Sequence, residues 1–197
     1  MADPLRNRIL AASRVQVVGN GLFSLWVDPG VEDQGSALHS LGVSWWHQMG
    51  AQFGLTSLAD FPAPSVGPYG AIGGDVRSDG VWLHPATHAP IALIEYERYQ
   101  GGDDQVNLVE KARNLLLASH RWQMTTGMAI LSFWTKGIAN APECQRLQSI
   151  IERGFDAVGA VRVPGAPGVS VLLMQFLHRE RLGRWGLHEV IERGGAS

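Results

Sequence analysis

Apolar and polar residues follow two different periods along this chain. Leu38, Leu41, Trp45, Met49 and Phe53 fall three or four residues apart. That spacing keeps them on one side of a helix and predicts an amphipathic helix over 36–53, with Ser36 as its N-cap and Gly54 as its terminator. Leu108, Ala112, Leu115, Leu116 and Ser119 repeat the pattern and predict a second helix over 106–119. The apolar run Ile91 to Ile94 continues into a short segment that reads as a buried central strand over 91–96. Residues 128–134 read as another buried strand. Shorter strands are predicted over 22–27, 76–84, 159–163 and 169–176. A helix over 142–153 carries Pro142 in its tolerant first turn, and 5–18 reads as a short helix running into a strand. Residues 55–74 hold Pro62, Pro64, Pro68, Gly67, Gly70, Gly73 and Gly74, and read as a long irregular crossing. From Leu177 onward the chain is charged and reads as partly helical.

This alternation of helices and strands predicts an α/β fold, a mixed central sheet flanked by helices. At 197 residues the chain suits one domain with a full core. Trp45 and Trp46 are adjacent on a helix and so diverge by about 100°. The pair therefore reads as half core and half surface, and the outer ring is a candidate for an interface or a substrate wall.

Composition narrows the function classes. The chain is 45% hydrophobic and 17% charged, with a formal net charge of −2. These are globular values without a global basic signature, so any nucleic-acid contact must come from a local patch. Cys144 stands alone, which excludes an intrachain disulfide and a cysteine-based zinc cluster. No apolar run reaches the roughly 18 residues of a membrane span. The first residues lack the charged-then-apolar layout of a signal peptide. The expectation is a soluble, cytoplasmic protein. The seven histidines are scattered, and His84 and His88 sit among prolines, so no zinc site is expected. The chain contains no G-x-S-x-G motif, Walker loop or dinucleotide fingerprint, and no nucleotide cofactor is expected.

The chemistry concentrates in Arg77-Ser-Asp79-Gly-Val-Trp-Leu and Ile91-Ala-Leu-Ile-Glu95-Tyr-Glu97-Arg98. In a strand, residues i and i+2 share a face, so Glu95 and Glu97 project together. Pairing with the preceding strand brings Asp79 beside Glu95. Carboxylates gathered in this way repel one another unless a cation or a proton intervenes, and hard divalent cations favour such oxygens. Read without a metal, Asp79-Gly80 is a turn, and the two glutamates are the wet end of a strand.

An Asp followed by Gly and apolar residues, a turn, an apolar strand ending in Glu-x-Lys, and then a helix is the pattern of the PD-(D/E)XK nucleases. This chain resembles that family from about residue 35 to 134, with Asp79 followed by 15 residues and Glu95. Glu97 replaces the lysine, as in the Glu-x-Glu minority of the family. The resemblance implies a restriction-endonuclease-like sheet with a nuclease core over 35–134 and a C-terminal extension over 135–197. It implies a DNA endonuclease using Mg²⁺ or Mn²⁺, held by Asp79, Glu95 and Glu97. Lys111 on the following helix takes the missing lysine's place as a catalytic group. Gln48, Arg98 and Asn114 are outer helpers, and a homodimer or a partner protein is expected by the same resemblance.

Arg179, Arg181 and Arg184 form a basic cluster with Trp185. It reads either as a solvated helix face or as a phosphate-contacting, nucleic-acid-binding surface. Two rival functions remain open: a catalytically inactive nuclease fold serving as a DNA-binding or regulatory module, and a protein-interaction module using the tryptophans and the Pro-rich segment.

Overall fold

The computed structural model describes residues 4–18, 26–137 and 141–194. In chain order the elements are α1 (Pro4–Val18), β1 (Trp26–Val27), α2 (Gln34–Gln52), β2 (Thr56–Pro62), β3 (Arg77–Leu83), β4 (Pro90–Arg98), α3 (Asp104–Arg121), β5 (Met128–Lys136), α4 (Cys144–Arg153), β6 (Gly154–Asp156), β7 (Arg162–Pro164), β8 (Ser170–Arg181) and β9 (Arg184–Arg193). The protein is an α/β fold with a mixed central sheet of six long strands and four helices. The two-residue β1 extends one edge, giving the order β1-β9-β8-β5-β4-β3-β2. β4, β5 and β8 run parallel. The other neighbours in this sheet are antiparallel, and β6 and β7 form a separate small ladder.

Alternation along the strands gives the sheet two apolar faces, each covered. Leu93, Leu131 and Leu173 face α3 and α4, where they pack with Leu108, Leu115 and Ile151. Ile94, Ile130 and Met174 face the other way, against Leu38, Trp45, Trp46 and Met49 of α2 and Ile9 of α1. The extension after residue 135 is therefore not an appendage. β8 continues the parallel ladder, and its side chains enter both cores.

Several local expectations change. Asp33, not Ser36, caps α2: its carboxylate accepts the Ser36 N–H at 2.9 Å and the Ser36 hydroxyl at 2.6 Å. Thr56–Pro62, expected as part of a loop, is an edge strand paired with β3. Pro62 is tolerated there because it closes the strand at an edge. The segment that follows is held down by Arg121 of α3, whose buried guanidinium donates to the carbonyls of Ile72 (2.7 Å) and Gly74 (2.8 Å). Both Trp45 and Trp46 are buried, in edge-to-face contact at 4.9 Å, so neither ring is a surface wall. Trp46 reaches inward because its indole N–H donates to Ser132 on β5 at 2.9 Å. The C-terminal stretch is a β-hairpin rather than a helix. Its two-residue turn, Leu182-Gly183, has positive φ at both positions, the geometry that matches strand twist in tight hairpins. The expected strand over 22–27 lies outside the described residues except for Trp26–Val27.

Candidate functional site

The ladder between β3 and β4 ends at Gly80↔Ile94. The next N–H that would point at β3, that of Tyr96, donates instead to the Asp79 carboxylate at 2.8 Å. Asp79 thus replaces a missing ladder bond and is held at the opening between the two strands. Glu95 lies level with it on β4 and is completely buried. From α3, Lys111 places its ammonium 2.7 Å from Glu95 Oε2 and 3.5 Å from Asp79 Oδ2. One turn along the helix, Asn114 donates to Glu95 Oε1 at 2.6 Å and also reaches the Arg77 carbonyl. Residues three apart on a helix share a side, which is why Lys111 and Asn114 address the same carboxylate. Four sequence-predicted residues therefore meet, contributed by three elements.

The fifth, Glu97, follows at the expected i+2 position but does not join them. It is half-buried, and its Oε1 accepts the Arg98 N–H at 2.8 Å. Among the described residues, no three His, Cys, Asp or Glu side chains are already gathered closely enough to hold a metal ion. Two carboxylates converge where three were expected. Arg98 turns to Asp104 at the start of α3 (3.2 Å), consistent with leaving the strand on the face opposite Glu97.

Sequence reasoning missed His39. Its Nε2 lies 3.7 Å from Asp79 Oδ2, making it the α2 residue that reaches the cluster. Gln48 is exposed and is not that residue. Nine positions separate the two, which is about 13 Å of rise and two and a half turns, so Gln48 points away from the carboxylates. The readable signal was glycine. A Cβ added at Gly42 would overlap the Tyr96 ring, and one at Gly50 would overlap the Trp82 indole. These glycines let α2 lie close enough to the sheet for His39 to reach Asp79. Gly42→Ala is expected to destabilise the protein by about 1–3 kcal/mol through overpacking. The measurement is denaturant unfolding, with the His39 ring signal followed by NMR as α2 shifts outward.

The charges of the cluster are unequal. Burial raises the Asp79 carboxyl, but the His39 hydrogen bond, the Lys111 charge and the Tyr96 N–H outweigh it and bring its pKa down to about 2. Burial and the neighbouring Asp79 charge push Glu95 well above the ordinary carboxylate value, against Lys111 and Asn114. Burial works against the Lys111 ammonium, yet the two carboxylates raise its pKa. His39 is also raised, chiefly by Asp79. The surroundings thus favour the ionised form of Asp79, the charged forms of Lys111 and His39, and the neutral form of Glu95.

The chain matches no protein-family model, no curated protein and no solved structure.

Two clefts flank the cluster. One, of 650 Å³, includes Lys111 and Asn114 in its wall, and the other, of 510 Å³, includes His39 and Glu97. The larger cleft has three basic residues, Arg77, Lys111 and Arg113, and three acidic ones, Asp75, Glu110 and Asp156. Arg77 is paired with Asp75 at 2.6 Å, and Arg113 with Glu110 at 2.5 Å. Its basic residues are therefore largely neutralised within the cleft itself.

Proposed function

We propose that this chain is a divalent-metal-dependent DNA endonuclease of the PD-(D/E)XK type. The observation that carries the reading is the meeting of Asp79, Glu95 and Lys111 from β3, β4 and α3. The order of elements supports it: helix α2, the antiparallel meander β2-β3-β4, helix α3, and then β5 parallel to β4. In the family this motif resembles, the Asp is followed by a turn, an apolar strand that ends in the Glu, and then a helix, the order seen here for Asp79, β4 and α3. No helix among the described residues is long and apolar enough to cross a membrane.

The donors fit Mg²⁺ or Mn²⁺. Asp79 and Glu95 offer hard carboxylate oxygens on adjacent strands, and burial together with the Asp79 charge raises the Glu95 carboxyl, an effect that a divalent ion bound there would oppose. Asp79 and Glu95 would hold the ion, which would supply countercharge for the phosphodiester and acidify a water, and His39 and the Tyr96 N–H keep Asp79 ionised and oriented. Lys111 stabilises charge developing on the phosphate. Asn114 fixes the rotamer of Glu95. Glu97, half-buried on the His39 side, orients the attacking water.

A second reading is a nuclease-like module without catalysis. It is favoured by Lys111, which already neutralises the carboxylates, and by the balanced charge of the larger cleft. Incubation with plasmid and single-stranded DNA, with and without Mn²⁺, separates the two. Metal-dependent strand scission that disappears in Asp79→Ala supports the nuclease. DNA left intact at every metal concentration supports the silent module.

A further inference from the structure

We infer that the β8–β9 hairpin is a distal clamp for the sugar-phosphate backbone of duplex DNA, gripping it about six nucleotides from the carboxylate cluster. This inference rests on the nucleic-acid reading above and adds to it the place where the backbone is held.

The hairpin tip concentrates cations on one face. Arg179 and Arg181 are two apart on β8 and so share a side. Arg181 stands directly opposite Arg184, and Arg179 opposite Gly186. Like charges directly across a ladder are destabilising, and Gly186 has no side chain to fill the space before Arg179. The result is an open groove of 460 Å³ lined by Arg179, Arg181, Arg184, Gly186, Leu187 and His188, with no carboxylate in its wall. Asp28 holds Arg184 at 2.9 Å. Arg179 and Arg181 are exposed and form no ion pair among the described residues. The arginines beside the carboxylates are already paired with acids, whereas these two are not. A polyanion therefore finds two uncompensated guanidinium groups on one face here, and guanidinium suits phosphate oxygens.

The register fixes the separation. Glu95 lies level with Leu131 and then with Leu173 across the parallel strands. Arg179 is six residues further along β8 than Leu173. At about 3.3 Å per residue and about 4.8 Å per strand, the hairpin groove is roughly 20 Å from Glu95. It lies beyond the C-terminal ends of the parallel strands, the direction in which Glu95 leads to Glu97. Phosphates of one DNA strand advance about 3.4 Å per nucleotide along the duplex axis, so one duplex lying across this end of the sheet spans both places.

The test is fluorescence anisotropy of the full chain, in chelator so that no cleavage is needed. It uses a labelled duplex of about 24 base pairs, between about 50 and 200 mM salt. Arg179→Ala/Arg181→Ala is expected to weaken binding by about tenfold or more at the low-salt end. It should reduce the log–log salt slope by about 2, one unit for each phosphate that the variant no longer neutralises. Arg179→Lys/Arg181→Lys should keep the wild-type slope. Unchanged slopes in the alanine variant, or a reduced slope in the lysine variant, would each overturn the clamp. So would binding to phosphatidylserine vesicles without binding to duplex. A wild-type protein that binds duplex in this way but never cleaves it removes the nuclease and keeps the clamp. One that cleaves while the variant's slope is unchanged does the reverse.

Discussion

Glu95→Gln and Lys111→Met are each expected to lower Mn²⁺-dependent DNA hydrolysis by about 10²–10³-fold, while moving divalent-ion affinity in opposite directions. Glutamine at 95 keeps the shape and the Asn114 contact but removes an anionic oxygen, so the ion binds less tightly. Lys111 is a competitor in the metal-free protein. Its ammonium sits 2.7 Å from Glu95 and 3.5 Å from Asp79, where it supplies the countercharge that the ion would supply. Removing it leaves two facing carboxylates without a cation, and Mn²⁺ should bind about tenfold tighter or more. Calorimetric titration reads both shifts. Binding should also weaken as the pH falls through the raised pKa of Glu95, because the ion must displace its proton. If Lys111 is only a structural clamp, Lys111→Met instead strands a buried carboxylate. The protein then loses about 3–5 kcal/mol of stability with no gain in metal affinity. In that case adding Glu95→Gln to Lys111→Met restores the stability, and the nuclease reading fails.

The motif was legible because its physics is local. A four-residue apolar run ending in Glu-x-Glu fixes which face the acids take, and the 3.6-residue period after it fixes which face of α3 carries Lys111 and Asn114. What stayed hidden depends on partners distant in sequence. His39 became part of the cluster only because Gly42 and Gly50 let α2 approach Tyr96 and Trp82, and no periodicity in 36–53 announces that depth. The same closeness buried both Trp45 and Trp46, although helical geometry alone sends adjacent side chains apart. β2 was masked by the prolines and glycines downstream of it. The final hairpin was masked by its turn. Leu182-Gly183 puts leucine where Asn or Asp normally marks a type I′ turn, and the flanking arginines and glutamates suit an exposed helix equally well.

Mild acid is expected to destabilise the protein through His178, by up to about 3 kcal/mol between pH 6.5 and 4. His178 is fully buried on β8. Its ring lies 6.4 Å from that of Trp134, Nδ1 faces the Phe176 carbonyl at 3.2 Å, and Nε2 has no partner. Burial lowers its pKa from 6.5 to about 4, the Lys136 charge adds to this, and the Phe176 carbonyl only partly opposes it. The folded protein therefore binds this proton less tightly than the unfolded chain does. The stability it contributes is complete above pH 6.5 and is lost as the pH falls toward 4. About 2.5 pKa units correspond to roughly 3 kcal/mol, or about 6–12 °C in Tm for a domain of this size. His39 acts with the opposite sign. Its pKa is raised by Asp79, so its contribution is present below pH 6.5 and lost as the pH rises. The wild-type curve mixes the two, and His178→Leu separates them. Its Tm should fall less than that of wild type between pH 6.5 and 4. Parallel Tm curves for the two proteins over that window would show that His178 is protonated in the folded state and makes no such contribution.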